Sequence, residues 1–168
     1  MSNQEQKPAG NGCPATPAPK ILDPARLYHV AICVNSVAET ARFYEEKFGI
    51  GPFSFRDVDF SNATFYGETA GYRGKRAYAQ LGPVLLELVE PVDGKTIHES
   101  FLKEKGEGLH HLGFEVDSLS DSIAEAERRG FRMTQTFRRD DGSGFAYIDS
   151  DTVGGTVFEI VEKARPKG

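Results

Sequence analysis

The sequence predicts an α+β fold made of two copies of one unit, a strand, a helix and then about three strands (βαβββ), because three features of the chain occur twice. The run Tyr28–Val37 (YHVAICVNSV) aligns with His110–Leu119 (HHLGFEVDSL) at an offset of 82 residues, 29 to 111. The run Leu85–Glu90 (LLELVE) aligns with Val157–Glu162 (VFEIVE) at an offset of 72, 87 to 159. Each first run is followed by the signals of a helix start, an apolar stripe at helical spacing and a glycine stop.

Residues 1–24 hold five of the nine prolines with Gly, Ala, Asn and Gln and no periodicity, so a flexible tail is expected over residues 1–26. The first strand alternates, Val30, Ile32 and Val34 pointing one way and His29, Ala31 and Cys33 the other. Ser36-x-x-Glu39 resembles a capping box; Val37, Ala41, Tyr44 and Phe48 form the apolar stripe of the helix that follows, and Gly49 ends it. Turn signals at Gly71, Gly74 and Gly82-Pro83 separate the next strands, and Leu85–Glu90 reads as the last strand of the unit. A linker over 93–107 carries a short helix around Ile97 to Lys105. The second unit repeats the plan, with strand His110–Val116, helix start Ser118-x-x-Asp121, stripe Leu119, Ile123 and Ala126, stop Gly130, turn Asp140-Asp141-Gly142 and last strand Val157–Glu162. The expected organisation is one domain over 27–163, with units 27–92 and 108–163 and a short C-terminal tail at 164–168.

With 168 residues, 39% hydrophobic and 11% aromatic, the chain suffices for one ordinary globular core. A net charge of -5 supplies no overall attraction for nucleic acid or anionic membrane, so the expected partner is a small molecule. No apolar secretory core and no run near the ~18 apolar residues of a membrane span occur, which places the protein in the cytoplasm as an expectation. Cys13 in the tail and Cys33 in a strand make no disulfide framework.

Four residues with chemistry recur by position: His29 and His111 near the start of the first strand of each unit, and Glu87 and Glu159 in the middle of the last. In two sheets related by a pseudo-two-fold, matching positions converge on the axis, so these four can meet at one point. Two imidazoles and two carboxylates suit a borderline or hard divalent ion such as Zn, Ni, Co, Mn or Fe, whereas four unpaired inward groups of this kind would be costly to bury. Ala31 and Gly113, two residues after each histidine, either leave room for a ligand above the metal or allow the two halves to approach closely.

The tandem pattern with HVAICV, LLELVEP, HHLGFEVD and VFEIVE resembles the vicinal oxygen chelate (glyoxalase/bleomycin resistance/dioxygenase) superfamily over about residues 27 to 163. Within it, the stretch from Phe101-Leu102 through Gly108-Leu109-His110-His111 and the ELVEP run are most similar to methylmalonyl-CoA epimerases. The resemblance implies paired modules forming a cup-shaped curved mixed sheet with helices outside, commonly a homodimer, with His29, Glu87, His111 and Glu159 holding the metal. It implies a metal-dependent racemase or epimerase that removes and returns a proton alpha to a carbonyl through a metal-stabilised enolate, Glu159 serving as base and Glu87 as second candidate. Some epimerases place another glutamate on the strand before the second ligand, where this chain carries Arg76. The returning proton is then open among Lys75, Tyr78, Glu87 and a water, while Lys75 and Arg76 themselves read as a solvated turn-to-strand pair.

The aromatic insertion Gly51–Tyr72 (Phe53, Phe55, Phe60, Phe65, Tyr66, Tyr72) either lines a pocket for a flat substrate or fills space within the fold. Arg73, Lys75, Arg76, Arg128, Arg129, Arg138 and Arg139 are available for the phosphates of an acyl-CoA. The substrate is thus either an acyl-CoA such as methylmalonyl-CoA or a free ketone such as an isoflavanone, as in dihydrodaidzein racemase. A glyoxalase I-type lyase uses the same four ligands, and a metal-free small-molecule binding protein is the alternative from another class.

Overall fold

The computed structural model describes residues 20–152 and 154–164. The first half runs β1 (Leu27–Cys33), α1 (Val37–Phe48), β2 (Ser54–Phe60), a small hairpin of β3 (Thr64–Phe65) and β4 (Glu68–Thr69), β5 (Tyr72–Leu81) and β6 (Val84–Gly94). After α2 (Ile97–Lys105), the second half runs β7 (Gly108–Glu115), α3 (Leu119–Arg128), β8 (Met133–Arg138), β9 (Gly144–Ile148) and β10 (Val157–Glu162). All ten strands join one curled mixed sheet in the order β2-β5-β6-β1-β7-β10-β9-β8-β3-β4. The halves meet at its centre, where β1 and β7 pair antiparallel, and each is flanked by the parallel last strand of its own half, β6 or β10. The fold is α+β.

Helices α1 and α3 start as their sequences require. Ser36 Oγ accepts from Glu39 N at 3.3 Å and Ser118 Oγ from Asp121 N at 3.2 Å. A further first-turn donor in each helix is taken by the terminal glutamate of the repeated strand: Glu90 Oε2 accepts from Val37 N at 2.9 Å, and Glu162 Oε2 from Leu119 N at 2.8 Å. Gly49 closes α1 in the left-handed region at φ 68°, open to glycine at little cost. Helix α1 packs on β5 and β6, and α3 on β9 and β10. The stripe of α1 holds at Val37 and Ala41, with Tyr44 packed against the same cluster; Phe48, expected inward, is 64% exposed and lies edge-on to Phe43 and Tyr44 on the outer surface.

Two further features differ from the sequence expectation. The tail expected over 1–26 is too long at its C-terminal end: Ile21 and Leu22 pack against the core beneath α3, and Pro24–Arg26 form a 3-10 turn capped by Asp23. These apolar side chains gain burial, and Arg26 adds ion pairs to Glu115 and Asp117. Residues 1–19 and 165–168 lie outside the described residues. The aromatic insertion also does more than link strands, because β3 pairs with β8 at the far edge of the other half. Phe60, in its middle, and Tyr72, at its end, pack with Ala63, Phe137, Phe145 and Tyr147; Phe60 lies 4.6 Å from Phe137 and 5.1 Å from Phe145, centroid to centroid.

Candidate metal centre

The register of the four central strands aligns the residues that recur in the repeat in two adjacent rows. Glu87 stands beside Ala31, and Ala31 beside His111; in the next row His29 stands beside Gly113, and Gly113 beside Glu159. Each row therefore reads donor, small residue, donor, and the period of two puts all six on one face of the sheet. The small residue of one half lies opposite the histidine of the other. A Cβ on Gly113 would lie 2.2 Å from His29 Cε1 and 2.3 Å from Nε2, so the space left by this glycine is filled by the His29 ring. Of the two readings open from sequence, close approach of the halves holds at Gly113.

All four candidate ligands are buried, with 5, 7, 0 and 4% of their surface exposed for His29, Glu87, His111 and Glu159. Their reactive atoms converge. His29 Nε2 lies 3.0 Å from His111 Nε2, 3.3 Å from Glu87 Oε2 and 2.8 Å from Glu159 Oε2; His111 Nε2 lies 3.6 Å from Glu87 Oε2 and 3.3 Å from Glu159 Oε2. Donors bonded at about 2.0–2.2 Å to one ion stand roughly 3.0–3.4 Å apart in octahedral or tetrahedral arrangements, so this spacing suits a common cation. The two Nε2 atoms face each other at 3.0 Å and both crowd Glu159 Oε2, a juxtaposition that a cation between them resolves. The residues fit a divalent ion in an N2O2 set.

Without an ion, charge is balanced locally. Burial alone would raise both glutamates, but His111, His29 and Arg76 hold Glu87 below its ordinary value, and His111 and His29 hold Glu159 well below. Burial would lower His111, yet Glu159 and Glu87 raise it to about 9. Behind it, His111 Nδ1 meets His110 Nδ1 at 2.8 Å, and His98 packs on both rings while its own Nδ1 pairs with Thr96 Oγ1 at 2.9 Å. Burial pushes His98 and His110 well down, so both stay neutral at physiological pH. Sequence reasoning missed this support for the His111 ring; the His-His doublet was the available signal.

Arg76 corrects the reading of a solvated pair. It is 4% exposed, with Nε 3.2 Å from Glu87 Oε1, whereas Lys75 does reach the surface and pairs with Glu90 at 3.3 Å. Alternation along β5 puts neighbours on opposite faces, and Gly74, whose Cβ would lie 2.9 Å from Arg76 Nη1, leaves room for the guanidinium. The two halves differ at this point. Tyr78 faces Glu87 as Tyr147 faces Glu159, but the residue matching Arg76 is Phe145, opposite Val161 as Arg76 is opposite Val89. One candidate carboxylate ligand has a buried cation beside its outer oxygen; the other has an aromatic ring.

A cavity of about 620 Å³ opens over His29, Glu87 and Glu159, with Tyr72, Arg76 and Tyr147 in its wall. Phe60 and Tyr72 of the insertion both line it and pack, while Phe53 belongs to the core under α1 and Phe55 is 54% exposed. Of the cations proposed for phosphates, Arg76 and Arg139 line the cavity; Arg73 pairs with Asp93, and Arg128 and Arg129 with Glu125 on α3. Arg56 and Lys163, not singled out from sequence, line it as well.

Among known proteins, the chain is 29% identical over 145 residues to the uncharacterized protein YqjC of Bacillus subtilis, covering 85% of this chain and 94% of that one. It is 23% identical over 138 residues to the mitochondrial methylmalonyl-CoA epimerase of Mus musculus, covering 80% and 71%. The fold matches a variant of the Streptomyces coelicolor methylmalonyl-CoA epimerase in complex with 2-nitronate-propionyl-CoA, with a TM-score of 0.64, 21% identity and coverage of 83% and 98%. The family model that matches residues 28–147, a span carrying His29, Glu87 and His111, decides the wider assignment: the chain belongs to the Glyoxalase/Bleomycin resistance protein/Dioxygenase superfamily.

Proposed function

We propose that the protein is a metal-dependent epimerase or racemase that removes and returns a proton at a carbon alpha to a carbonyl, with Glu159 as the base. A divalent ion held by His29, Glu87, His111 and Glu159 would act as a Lewis acid on the substrate carbonyl and so lower the cost of the enolate. The observation that carries the reading is the unequal setting of the two carboxylates. Glu87 Oε1 is drawn to Arg76 while Oε2 faces the two histidines, so both its oxygens are engaged and the side chain stays put. Glu159 also turns Oε2 to the two histidines, at 2.8 and 3.3 Å, but no cation among the described residues holds its other oxygen, and it borders the cavity, so it is the carboxylate freer to turn toward a substrate C–H.

For the returning proton, Lys75 drops out, since it is held by Glu90 outside the cavity; Tyr78 borders the cavity beside Glu87 and is the nearer group. The methylmalonyl-CoA epimerases among the similar proteins support the acyl-CoA form of this chemistry.

The test is deuterium incorporation at the alpha carbon, with methylmalonyl-CoA and an isoflavanone side by side and hemithioacetal conversion run in parallel. Glu159→Gln should slow exchange by roughly 10² to 10⁴-fold with the fold intact. Unchanged exchange removes Glu159 as base, and turnover of the hemithioacetal alone makes the protein a glyoxalase I-type lyase.

A further inference from the structure

We propose that His98, His110 and His111 form a second metal site, an all-imidazole set for copper(I), which takes His111 through Nδ1 and therefore competes with the divalent centre for that residue. Nothing in it depends on the epimerase reading.

The three rings are buried, with 0, 2 and 0% of their surface exposed, and one nitrogen from each lies within 4.8 Å of the others. Imidazoles bound at about 2.0 Å with N–metal–N angles of roughly 109–120° hold their ring centroids about 5.1–5.5 Å apart. Here the separations are 4.7 Å for His98 and His110, 5.1 Å for His110 and His111, and 5.8 Å for His98 and His111. Small ring rotations bring all three onto one ion.

Hydrogen bonding leaves the nitrogens as a metal needs them. Gln135 Oε1 accepts from Ile97 N at 3.2 Å, which fixes the orientation of that amide, and also accepts from Thr96 Oγ1 at 2.9 Å. The one hydroxyl proton of Thr96 is spent there, so toward His98 its oxygen accepts, and His98 Nδ1 is the donor at 2.9 Å. His98 Nε2 is left as a bare lone pair, shut away from solvent with no partner among the described residues. An outer hydrogen bond that orients an imidazole in this way is what a ligating histidine uses. His110 Nδ1 and His111 Nδ1 face each other at 2.8 Å, and an ion between them replaces that contact. With Nδ1 on the ion, the hydrogen of His111 sits on Nε2, where Glu159 Oε2 lies 3.3 Å away.

Charge selects the ion. No carboxylate belongs to the set, so a dication held by three neutral rings would stay uncompensated in a buried site, whereas a monovalent ion halves that charge and copper suits imidazole. The way in is also separate. None of the three rings borders the cavity over His29, but His110 borders another of about 200 Å³, beside Ser100 and Phe101 of α2.

The probe is copper(I), supplied anaerobically as its acetonitrile complex to metal-free full-length protein carrying Cys13→Ser, and titrated against bicinchoninate. One ion should bind per chain. Copper(I) is diamagnetic, so long-range proton–nitrogen correlation reads the rings directly: His98 Nε2, His110 Nδ1 and His111 Nδ1 should shift on loading, and the His29 nitrogens should not. His98→Ala and His110→Ala should each weaken binding roughly 100-fold, His29→Ala should leave it unchanged, and saturating the protein with zinc first should weaken it by about tenfold or more. Shifts confined to His29 and His111 Nε2 would put copper in the central set and overturn the proposal. Binding with no ring shift, as at the buried Cys33 thiol, overturns it too, and so does an affinity that zinc leaves unchanged. The ring shifts are read with all four histidines in place, so they decide even if His98→Ala fails to fold.

Discussion

Gly113→Ala tests whether the glycine in β7 exists to seat the His29 imidazole. The added Cβ would stand 2.2 Å from Cε1 and 2.3 Å from Nε2, where ordinary contact begins near 3.4 Å, so the ring must retreat by about 1.2 Å. The contact is with a ring, not with the loose end of a flexible side chain, and His29 is 5% exposed, so the retreat has to be into the cavity it borders. Metal sites tolerate displacements of about 0.2 Å, so a shift several times larger removes one of four donors. The expected result is a loss of zinc affinity of about 100-fold or more, near 3 kcal/mol, measured by competition with a chromophoric chelator. Overpacking should also cost about 1–3 kcal/mol of stability, read by thermal unfolding of the metal-free protein. A Gly113→Ala protein that binds zinc as tightly as the wild type would refute both the seat and the assignment of His29 as a ligand.

In the metal-free protein, Glu87→Gln should be the more damaging of the two carboxylate replacements, because it strands Arg76, which cannot shed its proton as His111 can; the cost of about 3 kcal/mol should appear as a Tm lower by roughly 6–12 °C than that of Glu159→Gln. Glu90→Ala removes the acceptor for Val37 N and should lower stability by about 1 kcal/mol, with metal affinity unchanged in the same chelator assay. Glu125 is held at about 2 by hydrogen bonds from Arg128 and then Arg129, below its ordinary 4.5, so its contribution is complete above 4.5 and lost as the pH falls toward 2. Glu125→Gln should therefore flatten the acid limb of stability in that window, seen by circular dichroism.

The repeat carried most of what was legible. Because His29 and His111, and Glu87 and Glu159, recur at matched positions, pseudo-symmetry could bring them together on paper, and the register of the four central strands brings them together in space. Arg76 was not legible, because it is the place where the repeat breaks: set against Phe145, it has no twin to mark it, and its neighbours Arg73 and Lys75 are surface residues. The β3–β4 hairpin escaped for a different reason. Strands of two residues show no periodicity, and the pairing of Thr64 with Thr136 joins segments far apart in the chain. Ile21 and Leu22 were hidden among prolines, where composition argued against order although two apolar residues were enough to anchor the chain.

That hairpin makes the tandem architecture indivisible. A stand-alone second half would offer β8 with an unsatisfied backbone border, the kind of template through which chains stack into aggregates. In the intact molecule the border belongs to Thr64 and Phe65, and what remains outermost on that side is Glu68–Thr69, too short and too charged to recruit another strand. At the opposite margin β2 carries Arg56, Asp57 and Asp59, a charged fringe of the same protective kind. The first half thus lends a hairpin that finishes the sheet edge of the second.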